Sequence, residues 1–376
     1  MSELFPGRGG VGAVVGDTAW LQAMLDAEAA LARARRLPAE ASGAIEAACR
    51  AELYDVAALG EASAASGNPV VPLVAALRVE VERVDGPAGE VHRGATSQDI
   101  LDTAAMLVAR RALAPLLDDL RGAAGAAAAL ARAHRATPVA GRTLLQQALP
   151  TTFGLKAAGW MTGLDAVGTR LAAVPLAAQL GGAAGTLDPL GLDVAARFAA
   201  ELGLEAPVLP WHTDRTRIAE LAGALGAAAG AAAKAAGDVV LLAQTEVGEV
   251  REAQPGGSSA MPHKRNPVAA VSALGWARQA PGLVATLLAS MEQQHERAAG
   301  AWHAEWRPLT SLLLATGSAA AWLRACLEGL EVDADRMRAN LDLPGGVPPE
   351  EGAGAPLDRA VASAAALVDR ALAARG

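Results

Sequence analysis

Apolar residues recur along this chain at the three- and four-residue steps of amphipathic α-helices. The longest pattern forms a stripe of Ile218, Leu221, Leu225, Ala229, Ala232, Ala236, Val239 and Ala243. Such a stripe, sustained over many turns, is typical of a long helix in a bundle. It predicts a helix from about Thr213 to Arg251.

Three further helices are predicted from local signals. One begins at residue 97, with Pro115 expected to kink or interrupt it. A second follows the stretch "LPTTFGLKAAGW". A third begins at Asn266 and Pro267, where asparagine would cap the helix and proline would take its first position. No region is rich in strand patterns.

These patterns predict an all-α protein in three parts. Residues 1–95 are expected to form a small N-terminal helical domain, and residues 96–330 a central bundle of long helices. Residues 331–376 form a shortened C-terminal region that contains a Gly/Pro-rich stretch at 343–356. Several very long helices cannot all bury a face within one chain of this size, so a homo-oligomer that pools its helices is expected.

Composition narrows the class of protein. The chain has 376 residues and a formal charge of −8, which disfavours non-specific binding to nucleic acid. The apolar stretch 221–244 is interrupted by Lys234 and Asp238, so it is interpreted as a buried helix of a soluble, cytoplasmic protein and not as a membrane span. Two distant cysteines and sparse histidines indicate neither a disulfide framework nor a metal site.

Five polar segments carry the unusual chemistry of this alanine-rich chain. They are "VHRGATSQDILDT" (91–103), "GRTLLQQALPTTFGLK" (141–156), "WHTDRTRIAE" (211–220), "PGGSSAMPHKRNPV" (255–268) and "QQHERAAGAWHAEW" (293–306). The hydroxyls at 96–97 fit either a plain helix cap or a carboxylate site at a helix N-terminus. The segment 255–268 combines mobile glycines with hydroxyls, a lysine and an asparagine, which is more than a surface turn requires.

That last segment resembles the signature loop of the fumarase/aspartase superfamily, whose pattern is GSSxMPxKxNP. The segments "HRGATSQDILDT" and "GRTLLQQALPTTFGLK" are similar to the first and second conserved regions of the same superfamily. The resemblance implies a homotetramer built around a bundle of long helices. It also implies active sites that combine residues of three subunits, and a small polycarboxylate substrate with no cofactor and no metal.

The resemblance assigns roles to particular residues. Ser258 would be the catalytic base and His92 a second catalytic group. The substrate-binding set would comprise Thr96, Ser97, Gln147, Lys264, Asn266, Arg297, His212 and Arg215. A serine acts as a base only as an alkoxide, so a nearby cation and a dry, closed loop would have to lower its pKa.

One departure from the superfamily pattern selects among reactions. Gln147 stands where many of its lyases carry a histidine acid. An amine leaves poorly without a proton, whereas a carboxylate, with a reference pKa of about 4.3, leaves unaided. The segments 211–220 and 293–306 also resemble the branch that cycloisomerises 3-carboxy-cis,cis-muconate to 4-carboxymuconolactone in aromatic catabolism. That reaction is expected; a succinate-type lyase releasing amine or nitrite and an inactive structural paralogue are the alternatives.

Overall fold

A computed structural model describes residues 4, 6–257, 261, 264–342 and 354–375. Helices make up most of this described part, as the sequence predicts. The α-helices are α1 (Val11–Val14), α2 (Asp17–Ala34), α3 (Ala39–Ala48), α4 (Val56–Ser66), α5 (Val70–Glu82), α6 (Ser97–Ala133), α7 (Phe153–Ala172), α8 (Leu192–Leu202), α9 (Thr216–Leu242), α10 (Val268–Ala277), α11 (Ala280–Ala289), α12 (Ala301–Glu328), α13 (Ala334–Leu341) and α14 (Gly354–Arg375).

Four short strands complete the described structure. β1 (Pro138–Thr143) and β2 (Gln146–Thr152) form an antiparallel hairpin, and β3 (Val250–Glu252) pairs antiparallel with β4 (Leu330–Val332). Each pair is a separate two-stranded sheet that lies at the ends of long helices. The all-α fold class is therefore confirmed.

The centre of the fold is a bundle in which α6 packs against α7 and α12, and α9 packs against α7, α10, α11 and α12. α6 begins with a capping box, in which the Thr96 hydroxyl accepts from the backbone of Asp99 and the Asp99 carboxylate accepts from Thr96. The helix then runs for 37 residues and contains Pro115 without ending there. The expected interruption at Pro115 is therefore wrong, because packing of the continuous apolar face outweighs one missing hydrogen bond. The expected kink stays a prediction.

Small side chains allow these helices to approach each other closely. The buried face of α9 includes Ala228, Ala232 and Ala236, each at most 1% exposed. A methyl group on Gly317 of α12 would come within 2.7 Å of Val11 in α1. Alanine and glycine therefore set the spacing between helices, while leucine fills the remaining volume.

Three predicted helix boundaries are wrong. α7 begins at Phe153, inside the stretch that was expected to precede it, because the Thr152 hydroxyl accepts from the backbone of Leu155 and caps the helix there. α9 ends at Leu242 and not at residue 251, because the chain turns and its residues 250–252 pair with β4. α10 begins at Val268, and the carboxylate of Glu252 accepts from the backbone of Ala269 and Ala270 at its start. A buried carboxylate from another strand thus provides the cap that the sequence assigned to Asn266.

The predicted domain boundaries at 95/96 and 330/331 remain predictions. The helices α2 to α5 precede the bundle, and α2, whose Leu25 and Leu31 are buried, packs on α6. In the C-terminal region, α13 lies against β1, and α14 lies against α7 and β2. Residues 343–353 of the Gly/Pro-rich stretch lie outside the described residues.

Within the described residues, α9 and α12 are long and apolar enough to cross a membrane by length and composition alone. In their most apolar windows, 44% and 67% of the residues are buried inside the chain. Each packs against several bundle helices. This packing supports the prediction that the 221–244 stretch belongs to a core helix, and it indicates the same for α12.

Candidate active site

The N-terminal end of α6 gathers one group of predicted site residues. Thr96 and Ser97 are half-buried at the start of the helix, where backbone N–H groups and the helix dipole favour an anion. Arg297 donates from Nη1 to Thr96 Oγ1 at 2.5 Å and from Nη2 to the carbonyl of Ala183 at 3.0 Å. Two residues that are 201 positions apart are therefore brought together.

The Thr96 hydroxyl is arranged to donate outward. Its oxygen accepts from the Asp99 backbone in the capping box and from Arg297. With both lone pairs occupied, its own hydrogen is left to donate to a ligand. A hydroxyl donor, a guanidinium and a helix N-terminus together suit a carboxylate.

His92 lies beside this helix start and pairs with a carboxylate that the sequence analysis missed. Its Nδ1 lies 2.6 Å from Glu28 Oε1, and the Glu28 side chain is only 1% exposed. Burial alone would lower the pKa of His92, but the Glu28 charge and hydrogen bond outweigh it and raise that pKa above its ordinary value. The pairing favours the imidazolium form and holds the ring in place, and the backbone of His92 has a positive φ of 61°.

His212 and Arg215, predicted to bind substrate, are directed inward in the structure. His212 is 4% exposed, and its Nε2 lies 2.7 Å from Asp99 Oδ1. The Arg215 guanidinium donates to the carboxylates of Asp102 and Glu305 and to the carbonyl of Trp211. All five N–H groups of Arg215 are thus engaged, so it has no donor left for a substrate carboxylate.

The Arg215 network forms a charged layer within the core. Trp302 Nε1 also donates to Asp102 at 2.9 Å, and Gln293 Nε2 donates to Glu305 at 2.9 Å. Burial raises the pKa of Glu305, although Arg215 acts in the opposite direction. The layer joins α6, α9 and α12, which favours a structural role for Arg215.

A second group of residues surrounds the hairpin of β1 and β2. Arg142 makes a two-pronged ion pair with the buried Glu249, at 2.9 and 2.7 Å. Gln147 lies half-buried on β2 and donates to the carbonyl of Leu341 at 3.3 Å. Lys156 follows on α7, where burial lowers its pKa. The Arg142 pair thus fixes the hairpin to the segment before β3.

The signature loop leaves the core between β3 and α10. Gly256 and Asn266 pair through two backbone hydrogen bonds of 2.9 and 3.0 Å, which close the base of the loop. Asn266 Nδ2 also donates to the Gly257 carbonyl at 3.2 Å, and Lys264 is exposed. Ser258, the predicted base, lies outside the described residues.

Seven of the ten predicted residues therefore fall into three groups within one chain, while His212 and Arg215 lie in the core and Ser258 lies outside the described residues. The α6 start holds Thr96, Ser97, His92 and Arg297, the hairpin holds Gln147, and the loop holds Lys264 and Asn266. Glu28 and Asp99 join the first group only through the fold. The sequence signal for Glu28 is an acidic residue within a mostly apolar stretch of α2, and the signal for Asp99 is an acidic residue at the third position of α6. Among the described residues, no cluster of three or more metal-binding side chains is present.

Comparisons with known proteins identify the class of enzyme to which this helical bundle and its signature loop belong. The family profile described as a lyase matches residues 12–282. This chain therefore belongs to the lyase family of the fumarase/aspartase superfamily and is an enzyme of its cycloisomerase/lyase type.

Three individual relatives show which members of the family this chain resembles. The chain is 53% identical to a 3-carboxy-cis,cis-muconate cycloisomerase of Bradyrhizobium diazoefficiens, over 87% of this chain and 75% of that protein. It is 50% identical to a nitrosuccinate lyase of Streptomyces davaonensis, over 91% of this chain and 77% of that protein. The crystal structure of the 3-carboxy-cis,cis-muconate lactonizing enzyme from Pseudomonas putida matches with a TM-score of 0.85 and 42% identity, covering 97% of this chain and 86% of that one.

Proposed function

We propose that this enzyme cycloisomerises 3-carboxy-cis,cis-muconate to 4-carboxymuconolactone. The observation that carries the proposal is Gln147, in a chain 53% identical to a cycloisomerase. An amide side chain holds no proton for a poor leaving group, and this reaction needs none there. In the reverse direction the leaving group is the lactone carboxylate, which departs as a stable anion.

The chemistry requires stabilisation of negative charge next to a carboxylate. In the reverse direction, a base removes the hydrogen on the carbon adjoining the carboxylate, and the carbon–oxygen bond of the lactone breaks. The intermediate carries a doubly charged aci-carboxylate, which fixed cations and N–H donors stabilise. Ser258 is the proposed base, with Lys264 and Asn266 holding the carboxylate beside it.

The α6 start supplies the complementary half of the proposed site. Thr96, Ser97 and Arg297 would bind a second carboxylate of the substrate through the hydroxyl, the helix N-terminus and the guanidinium. His92 would carry a proton or positive charge near this group, because Glu28 favours its imidazolium form. These parts suit a substrate with three carboxylates.

The proposed site is completed by neighbouring subunits. The α6 start, the hairpin and the signature loop lie on separate elements, and a homotetramer would bring one of each from three chains together. The exposed Leu144, Leu145 and Leu149 of the hairpin, 96%, 70% and 68% exposed, support a contact with another subunit. A cytoplasmic location fits such an assembly.

Ultraviolet absorbance tests the reaction directly. Purified protein mixed with 3-carboxy-cis,cis-muconate should abolish the absorbance of the conjugated diene as the lactone forms. Persistence of the diene signal would contradict the proposal. Light scattering after size exclusion should give the mass of four chains, and a monomer would contradict the shared site.

Removal of the proposed base gives a sharper test of mechanism. Ser258→Ala should lose nearly all turnover, on the order of 10³-fold or more, while the helical circular dichroism and the oligomer mass stay unchanged. Ser259→Ala is the matched control, one residue along the same loop. Equal activity of Ser258→Ala and the wild type would remove Ser258 as the base.

Nitrosuccinate lyase activity is the second candidate. The 50% identity to the Streptomyces davaonensis lyase favours it, and nitrite also leaves without a proton. Release of nitrite from nitrosuccinate, measured beside the diene assay, separates the two reactions. Turnover of neither substrate would favour an inactive paralogue.

A further inference from the structure

Asp99 is a buried carboxylate whose position within the proposed site exceeds what helix capping requires. Its side chain is 0% exposed. Its Oδ2 accepts from the backbone of Thr96 and Gly182, both at 2.9 Å, and its Oδ1 accepts from Gly181 at 2.8 Å and from His212 Nε2 at 2.7 Å. A capping box accounts for only the first of these four bonds.

Four N–H donors converge on two oxygens, which matches the acceptor capacity of a carboxylate. Because a carboxylate only accepts, His212 donates from Nε2 in this arrangement. An amide in place of Asp99 would direct its own N–H group at two of these donors. The site is therefore built for a carboxylate, and an asparagine of the same shape cannot satisfy it.

The bonds of Asp99 belong to a closed ring that includes the proposed substrate-binding residues. Asp99 holds the backbone of Thr96 on one side and Gly182 on the other. The next residue, Ala183, accepts from Arg297, and Arg297 donates in turn to the Thr96 hydroxyl. The distance between Thr96 and the 181–183 segment thus fixes where the guanidinium lies.

The surrounding backbone leaves little room for this segment to shift. A methyl group on Gly181 would lie 2.7 Å from His212 Cε1 and 2.8 Å from Pro210 Cβ, and Gly182 has a φ of +72°. The His212 ring therefore packs directly on the segment that Asp99 holds. This contact accounts for His212 of the 211–220 segment, which has no direct place in the proposed chemistry.

We infer that Asp99 is a positioning residue, which clamps residues 181–183 and His212 to the start of α6 and so aligns Arg297 and Thr96 for a substrate carboxylate. The inference rests on the proposed function, namely that this helix start binds a carboxylate of the substrate. Asp99 itself touches no substrate, because its four acceptor sites are filled. His212 acts through Asp99 and not on the substrate.

The test is steady-state kinetics of Asp99→Asn on whichever of the two substrates, 3-carboxy-cis,cis-muconate or nitrosuccinate, the wild type turns over. A misplaced binding group should raise KM about ten- to a hundredfold and change kcat less than about threefold. Asp102→Asn is the matched control, since Asp102 is a buried carboxylate one turn along α6 that holds Arg215 and Trp302. It should lower the melting temperature and leave KM within twofold.

A double-mutant cycle with His212→Phe tests the path of action. This variant keeps the ring volume and removes the donor to Asp99, so KM should rise, and the double variant should have the KM of Asp99→Asn alone. Additive effects would mean that His212 contacts substrate and would overturn the inference. If Asp99→Asn does not fold, the KM of His212→Phe decides: a rise supports positioning, and an unchanged value overturns it.

The experiments distinguish a failure of the proposed function from a failure of the inference about Asp99. A wild type that turns over neither substrate overturns the proposed function, and with it this inference. A wild type that is active, beside a folded Asp99→Asn with an unchanged KM, overturns only the role of Asp99.

Discussion

Replacement of Arg215 by methionine tests whether the charged layer in the core has the structural role that its contacts indicate. Arg215 donates to Asp102 at 2.7 Å and to Glu305 at 2.5 Å, and the three side chains are 1%, 4% and 3% exposed. Methionine fills a similar volume without the charge, so the two carboxylates would remain buried without their cation. The expected result is a folded but destabilised protein.

The size of the expected destabilisation follows from the burial of the ion pairs that Arg215 makes. Removing one partner of a buried ion pair costs about 3–5 kcal/mol, because the remaining charge is left uncompensated. Trp302 and Gln293 still donate to these carboxylates, which places the expected cost toward the lower end. For 376 residues at about 2.1 cal/mol/K each, the melting temperature should fall by about 4–5 °C.

The matched control lies two residues along the chain. Arg217 pairs with Glu205 at 3.9 Å, and their side chains are 24% and 60% exposed. An exposed pair of this kind contributes about 0–1 kcal/mol, so Arg217→Met should shift the melting temperature by about 1 °C or less. Differential scanning calorimetry on both variants measures the contrast.

The pH dependence of the stability of Arg215→Met provides an independent test. Burial raises the pKa of Glu305 even with Arg215 present, and loss of Arg215 raises it further above the unfolded value of about 4.3. The folded variant then binds a proton that the unfolded chain releases, so its stability falls as pH rises through that interval. The deficit relative to the wild type should be smaller at about pH 5 than at about pH 8. A loss below about 1 °C at pH 8, or an equal deficit at both pH values, would refute the structural role.

Two further predictions concern His92 and Gly256, the glycine where the signature loop begins. Glu28 raises the pKa of His92, so the pair stabilises the fold below the unfolded value of about 6.5, and this contribution is lost as pH rises through the folded value. Glu28→Gln should therefore lower the melting temperature more at about pH 6 than at about pH 9; an equal loss at both would contradict the pairing. Gly256→Ala places a methyl group inside the contact distance of Val268 and should reduce turnover at least about tenfold by displacing the loop. Gly257→Ala serves as control, because its methyl group meets no atom of the described residues within 4 Å. Equal turnover by Gly256→Ala and Gly257→Ala would show that the reaction tolerates displacement of the loop at Gly256.

The sequence predicted most of the helical fold, because local periodicity specifies where helices form. The stripe of α9 and the cap of α6 are both local signals, and both helices are present. Errors occurred at ends that distant residues determine. Glu252 caps α10 from the neighbouring strand, and β4 captures the segment that was expected to extend α9.

The candidate site divides in the same way. Its motif residues, from Thr96 to Asn266, could be named because their types and spacing resemble a known family. Their partners could not, since the pairing of Glu28 with His92 joins positions 64 residues apart and is set by the packing of α2 on α6. Likewise, only the fold shows that Arg215 uses its donors on Asp102 and Glu305.

By itself, therefore, the sequence determined the all-α class, the helix stripes and the chemistry of the loop and the helix start. These are properties of residue type and short-range spacing. Tertiary structure decided which charges are buried together and which cations remain available to a ligand. Ion pairing depends on atoms that meet across a few ångströms after packing, and nothing in the local pattern around Asp99 encodes its contact with Gly181, 82 residues away.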